Sequence, residues 1–247
     1  MTTYIKEALH KFQHPRPSRT QETPHAWNQP VYGSAIQYSD QPDDSPLLSP
    51  NSTNLVQQII GTLLYYAIDV NPTMLVAIST IISQQLKTMQ TTRKVTVWLL
   101  NYSASHLNAT IRYSASDMVL HLHSDASYLS KPGARSCVGG YYFLGKKSTD
   151  PTKPPLTDSP LNGPIHIVSK ILLNVMASAN EAEISAILHN GQEAVPISTT
   201  LQELGHPQSL TPICVDNSTA EGFANSTINK KRYKAIDMCF YWIQYCT

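Results

Sequence analysis

Three acids far apart in the chain stand where hydrophobic runs stop, and their types suit hard-cation chemistry. Asp125 follows Met118-Val119-Leu120-His121-Leu122-His123-Ser124, which reads as a buried strand, so the carboxylate falls where that strand ends and a loop begins. Asp216 stands in the same relation to the short run Ile213-Cys214-Val215, and Glu181 lies in Ser178-Ala179-Asn180-Glu181-Ala182-Glu183 on a helix. Two strand-end aspartates and a helix glutamate could converge as an all-oxygen site for magnesium. Two such ions, about 3.5–4 Å apart, activate a water and stabilise the leaving oxygen of a phosphodiester. The same residues also read as a strand terminator, a solvated helix acid and a helix cap, and on spacing alone that second reading is the favoured one.

Other reactive types are weaker signals. His121 and His123 share a strand face with Asp125 at i, i+2 and i+4, which spells a zinc or iron site or, more often, partly buried and hydrogen-bonded histidines. His189, two helical turns past Glu181, is a proton shuttle or a surface histidine. Lys230, Lys231, Arg232 and Lys234, with Tyr233 among them, form the densest basic cluster, fit to grip a phosphate backbone or simply solvated. No glycine loop of the phosphate-cradling kind occurs, because Gly139-Gly140 falls inside a strand and Gly61 inside a helix.

The elements that must position these groups follow from periodicity. Tyr4, Ile5, Ala8, Leu9 and Phe12 predict a short helix ended by Pro15 and Pro17. Proline-rich, polar sequence up to residue 50 predicts a loosely packed tether in which His14 and His25 are solvated. Ser52-Thr53 reads as a cap for an amphipathic helix running to Ala67, with further helices from Thr73 to Ile82 and over 91–104. Strand patterns occupy Thr110–Tyr113, Met118–Ser124, Val138–Leu144, Pro164–Val168 and Pro212–Val215, with a long loop over 146–163. A helix from Met176 to Leu204 is expected to kink or split at Pro196; others start at the Asp216-Asn217-Ser218 cap and span Lys231 to Tyr245. Strands in a meander, then helix, strand, helix, predict an α/β sheet with one antiparallel half. The expected division is 1–50 as tether, 51–106 as helical segment and 107–247 as the sheet domain.

Composition limits the rest. With 247 residues, 41% hydrophobic, the chain can build a core, and its net charge of +1 gives no global attraction to polyanions. Cys137, Cys214, Cys239 and Cys246 form no CxxC pair, which suits reduced thiols and an intracellular, cytoplasmic or nuclear setting. No apolar run is long enough to span a bilayer, so no membrane partner is expected. Nothing in the sequence sets an oligomeric state.

Several blocks in order resemble the C-terminal part of the Pol polyprotein of copia-type long-terminal-repeat retrotransposons. Val56-Gln57-Gln58-Ile59-Ile60-Gly61-Thr62-Leu63-Leu64-Tyr65-Tyr66-Ala67 with Asn71-Pro72-Thr73, and Thr96-Val97-Trp98-Leu99-Leu100-Asn101-Tyr102, are similar to the connection past the polymerase. Ser124-Asp125-Ala126-Ser127, Arg135-Ser136, Gly140-Tyr141, Ser169-Lys170, Ser178 to Glu183, Leu201 to Gly205 and Asp216 to Ala220 resemble the family's ribonuclease H module. The resemblance implies a ribonuclease H-like mixed sheet, an antiparallel three-strand meander plus a parallel strand, preceded by a small helical segment. It implies hydrolysis of RNA in RNA–DNA hybrids with two Mg2+ (or Mn2+), held by Asp125, Glu181 and Asp216, with Glu183 as the neighbouring acid. Nucleic acid would be the partner, through Lys230, Lys231, Arg232 and Lys234. No polymerase motif is present, so no DNA synthesis is expected. The family's last strand and fourth carboxylate would fall past Thr247, so the resemblance implies an incomplete domain with weak or no activity; Asp237 does not match that acid by position but could replace it. The alternative is a degenerate, non-catalytic nucleic-acid-binding fragment of such a polyprotein.

Overall fold

The computed structural model describes residues 1–26, 43–131, 133–147, 161–225 and 242–243. They belong to two units, Met1–Ile111 and Arg112–Thr247, so the described residues among the first fifty share a unit with the helices after them and the second unit begins a few residues later than expected.

The first unit is helical: α1 (Thr2–Lys11), α2 (Pro50–Asp69), α3 (Leu75–Ser83) and α4 (Gln90–Ser105). The expected cap at Ser52-Thr53 lies instead inside the first turn of α2. Ser49 is the cap, accepting from the Ser52 N–H, and Pro50 takes the first helical position, where its missing N–H costs nothing. Ile5, Leu63, Met74, Ile78, Ile81 and Leu99 are fully buried and form this unit's core. The tether is not loose over its described part. His14 Nε2 lies 2.8 Å from Asn101 Oδ1, the Gln21 N–H donates to Ser105 Oγ at 3.0 Å, and the Trp98 indole donates to Thr23 O at 2.8 Å. An irregular backbone leaves its own polar groups free, and the polar face of α4 satisfies them. Positions 27–42 lie outside the described residues.

In the second unit β1 (Val119–Lys131), β2 (Arg135–Gly145) and β3 (Pro164–Ile171) form an antiparallel meander, and the short β4 (Ile213–Cys214) pairs parallel to β1, giving the order β3-β2-β1-β4. The α/β mixed sheet read from the sequence is therefore present. Thr110–Tyr113 is not a strand; it lies in irregular chain before β1. Nor does β1 stop at Asp125. Beyond it Ala126 and Tyr128 keep the alternation and pack with Val138, Ala182 and Ala186, so the hairpin continues and Asp125 is mid-strand, opposite Gly139.

The helix α5 (Ala179–Glu203) runs unbroken through Pro196 instead of splitting there. One side of it covers the sheet, with Ala194 and Leu201 against Leu120, Leu122 and Tyr142. Full burial of leucines such as 120 and 122 stabilises by about 2 kcal/mol each, and the packing of Ala194 and Leu201, on either side of Pro196, against them holds the helix across its proline. The last helix with described side chains throughout is α6 (Ser218–Ala224). The helix expected from Lys231 to Tyr245 lies outside the described residues except at Trp242 and Ile243, which are helical. Among the described residues no helix is long and apolar enough to cross a membrane.

Candidate metal centre

Strand register brings the first two acids together. Parallel pairing matches Leu122 with Ile213 and His123 with Cys214, so continuing two residues along both strands sets Asp125 beside Asp216. Both carboxylates are exposed. Asp216 does not cap α6, as one reading of the sequence had it. Asn217 does, its Oδ1 accepting from the Thr219 and Ala220 N–H groups at 3.0 and 3.1 Å, so the cap makes no use of the Asp216 carboxylate.

The third acid is Glu183, not Glu181. Ser178 caps α5 by accepting the Glu181 N–H at 3.1 Å, and the Glu181 carboxylate turns back to accept the Ala177 N–H at 2.6 Å. That reciprocal arrangement is a capping box reaching one residue further than usual, and it holds Glu181 at the helix start. Two residues on a helix differ by about 200° in direction, so Glu183 faces the other way, into the sheet. It is 7% exposed. Carboxylate oxygens of Asp125, Glu183 and Asp216 all lie within 4.8 Å of one another, the one such group of potential metal ligands among the described residues. Two signals in the sequence point the same way: Ser178-x-x-Glu181 is a capping pattern, and Glu183 falls in helical phase with the buried Ile187, Asn190 and Ala194.

The electrostatics match the geometry. Burial, then the nearby charges of Asp125 and Asp216, push the Glu183 carboxyl up to about 7, against the opposing pull of the Ala126 amide hydrogen bond. Among the described residues, Glu183 Oε2 is buried without a hydrogen-bond partner. A buried carboxylate with an unused oxygen, facing two more carboxylates, is short of positive charge. A divalent cation would supply it, and an all-oxygen donor set fits magnesium or manganese better than zinc.

The remaining candidates lie elsewhere. His121 is fully buried, stacked on Phe143 at 5.2 Å between centroids, with Nε2 3.1 Å from Lys146 O; His123 tilts against the same ring. Burial holds both imidazoles below their ordinary pKa, and among the described residues neither joins a metal-ligand group. His189 is held low by burial and by Lys170, with Glu193 opposing, and it is not part of the three-acid group. Lys230, Lys231, Arg232, Lys234 and Asp237 lie outside the described residues.

Over 147 residues, 60% of its length, the chain is 26% identical to the retrovirus-related Pol polyprotein from transposon TNT 1-94 of Nicotiana tabacum. The match spans 10% of that polyprotein, so this chain is similar to a small portion of a retroelement Pol product. No family model matches the chain. No solved structure matches it.

Proposed function

We propose that the second unit is a ribonuclease H-type nuclease module of retroelement origin that hydrolyses the RNA strand of RNA–DNA hybrids. The observation that carries this reading is the meeting of Asp125, Glu183 and Asp216 at the end of the parallel β1–β4 pair. The mixed sheet with its covering helix and the likeness to a Pol polyprotein support it. Asp125, Glu183 and Asp216 are the residues that would hold Mg2+, with Mn2+ as a substitute. Bound there, such ions supply a water of lowered pKa and neutralise charge on a scissile phosphate. Glu183, buried and on a helix, anchors the set from below, and the exposed Asp125 and Asp216 are open to a polyanionic substrate.

The test is cleavage of an end-labelled RNA–DNA hybrid by the full chain. Mg2+-dependent cutting of the RNA strand, abolished by EDTA and by Asp125→Asn, supports the reading. Hybrid binding that falls steeply with salt, with no cutting at any Mg2+ or Mn2+ concentration, overturns it in favour of a non-catalytic nucleic-acid-binding fragment.

A further inference from the structure

Asn190 is fully buried on α5, two turns beyond Glu183, and its side chain reaches both strands around Asp125. Its Nδ2 donates to Ser124 Oγ at 2.8 Å and to Gly139 O at 2.8 Å. Ser124 directly precedes Asp125, and Gly139 is the cross-strand partner of Asp125. From the other side the Tyr142 hydroxyl donates to Asn190 O at 2.9 Å and lies 3.2 Å from Asn190 Oδ1. This approach requires glycine at 140, because a Cβ there would collide with the Asn190 amide. The result is a satisfied polar network in an otherwise apolar helix–sheet contact, a directional feature that fixes one register where leucines would tolerate several.

We propose that Asn190 is a positioning residue for the carboxylate cluster: it locks α5, and with it Glu183, against the β1–β2 segment that carries Asp125. It touches neither substrate nor cation and acts through Ser124 and Gly139. The proposal rests on the nuclease reading for its consequence, though not for its geometry. The Ala126 amide, which hydrogen-bonds the Glu183 carboxylate, is a local reporter of that geometry.

The experiment measures Mn2+ affinity and amide hydrogen exchange in the full chain for Asn190→Ala, for the milder Ser124→Ala and for Tyr142→Phe. The last loses the phenol bonds but keeps both Nδ2 donations. In Asn190→Ala, Mn2+ binding weakens about tenfold, as for other residues that orient metal ligands. Exchange at Ala126 accelerates while Leu120 and Leu122 keep their rates. Ser124→Ala moves the same way by less, and Tyr142→Phe moves neither readout. Unchanged Mn2+ affinity and unchanged Ala126 exchange in both Asn190→Ala and Ser124→Ala overturn the proposal, as does uniform acceleration along all of β1. A wild-type chain that binds no Mn2+ overturns the nuclease reading instead, and exchange at Ala126 then decides the positioning role by itself.

Discussion

Glu181 and Glu183 stand two residues apart on α5 and face opposite ways: Glu181 accepts the Ala177 N–H at the helix start, and Glu183 meets Asp125 and Asp216 over the sheet. The two acids are therefore separable by substitution. Glu183→Gln is expected to lower hybrid cleavage at least about a hundredfold, the scale for losing one group that stabilises developing charge. Glu181→Gln leaves the rate near wild type, and Ser178→Ala at the same cap costs about 1 kcal/mol of stability without a specific loss of activity. Single-turnover rates and urea midpoints on the same preparations check both halves.

The raised carboxyl of Glu183 makes stability depend on pH with a definite sign. Its folded pKa, about 7, lies above its ordinary 4.5, so folding disfavours the charged form. The penalty is absent below about pH 4.5, grows between the two values and is complete above pH 7. In EDTA, Glu183→Gln should accordingly be more stable than wild type at pH 8, by up to about 3 kcal/mol, with the difference vanishing toward pH 4.5. Denaturant unfolding at the two pH values measures it; a Gln variant less stable than wild type at pH 8 would contradict the assigned environment.

Cation binding should appear as stabilisation before any substrate is added. At about one hundred times its dissociation constant, Mg2+ should add roughly 2.7 kcal/mol to the second unit. Asp125→Asn should remove most of that gain. Thermal melts with Mg2+ and with EDTA make the comparison, and an equal shift in the variant would place the cation elsewhere.

Two glycines test how closely α5 lies on its neighbours. A methyl group at Gly140 would overlap the Asn190 amide, whereas one at Gly191 would come within 3.1 Å of the Trp242 ring. Gly140→Ala is expected to cost about 1–3 kcal/mol, the range for forcing added volume into a packed interior, and Gly191→Ala less, because an aromatic ring can slide where a hydrogen-bonded amide cannot. Urea titration of both variants gives the order.

Much of the scaffold is legible in the residues. Helical periodicity marks α2, α3 and α4 to within a few positions, and β alternation marks β1 to β3, because each element must bury one face whatever the rest of the chain does. The errors fall where local polarity misleads. β1 reads as ending at Asp125 since the hydrophobic run stops there, yet Ala126 and Tyr128 pack on α5 and carry it to Lys131. Thr110–Tyr113 has the composition of a strand, but the irregular chain there pairs with none.

By itself the sequence determined the α/β order, the helical first unit and the candidacy of Asp125 and Asp216, because hydrophobic period and an acid placed where a hydrophobic run stops are local properties. Only the tertiary structure decided that Glu183 is their companion and that Asn217, not Asp216, spends its side chain on the helix cap. Those choices turn on the rotation of α5 about its own axis and on the parallel register of β1 with β4, and both are set by contacts between residues dozens of positions apart in the chain.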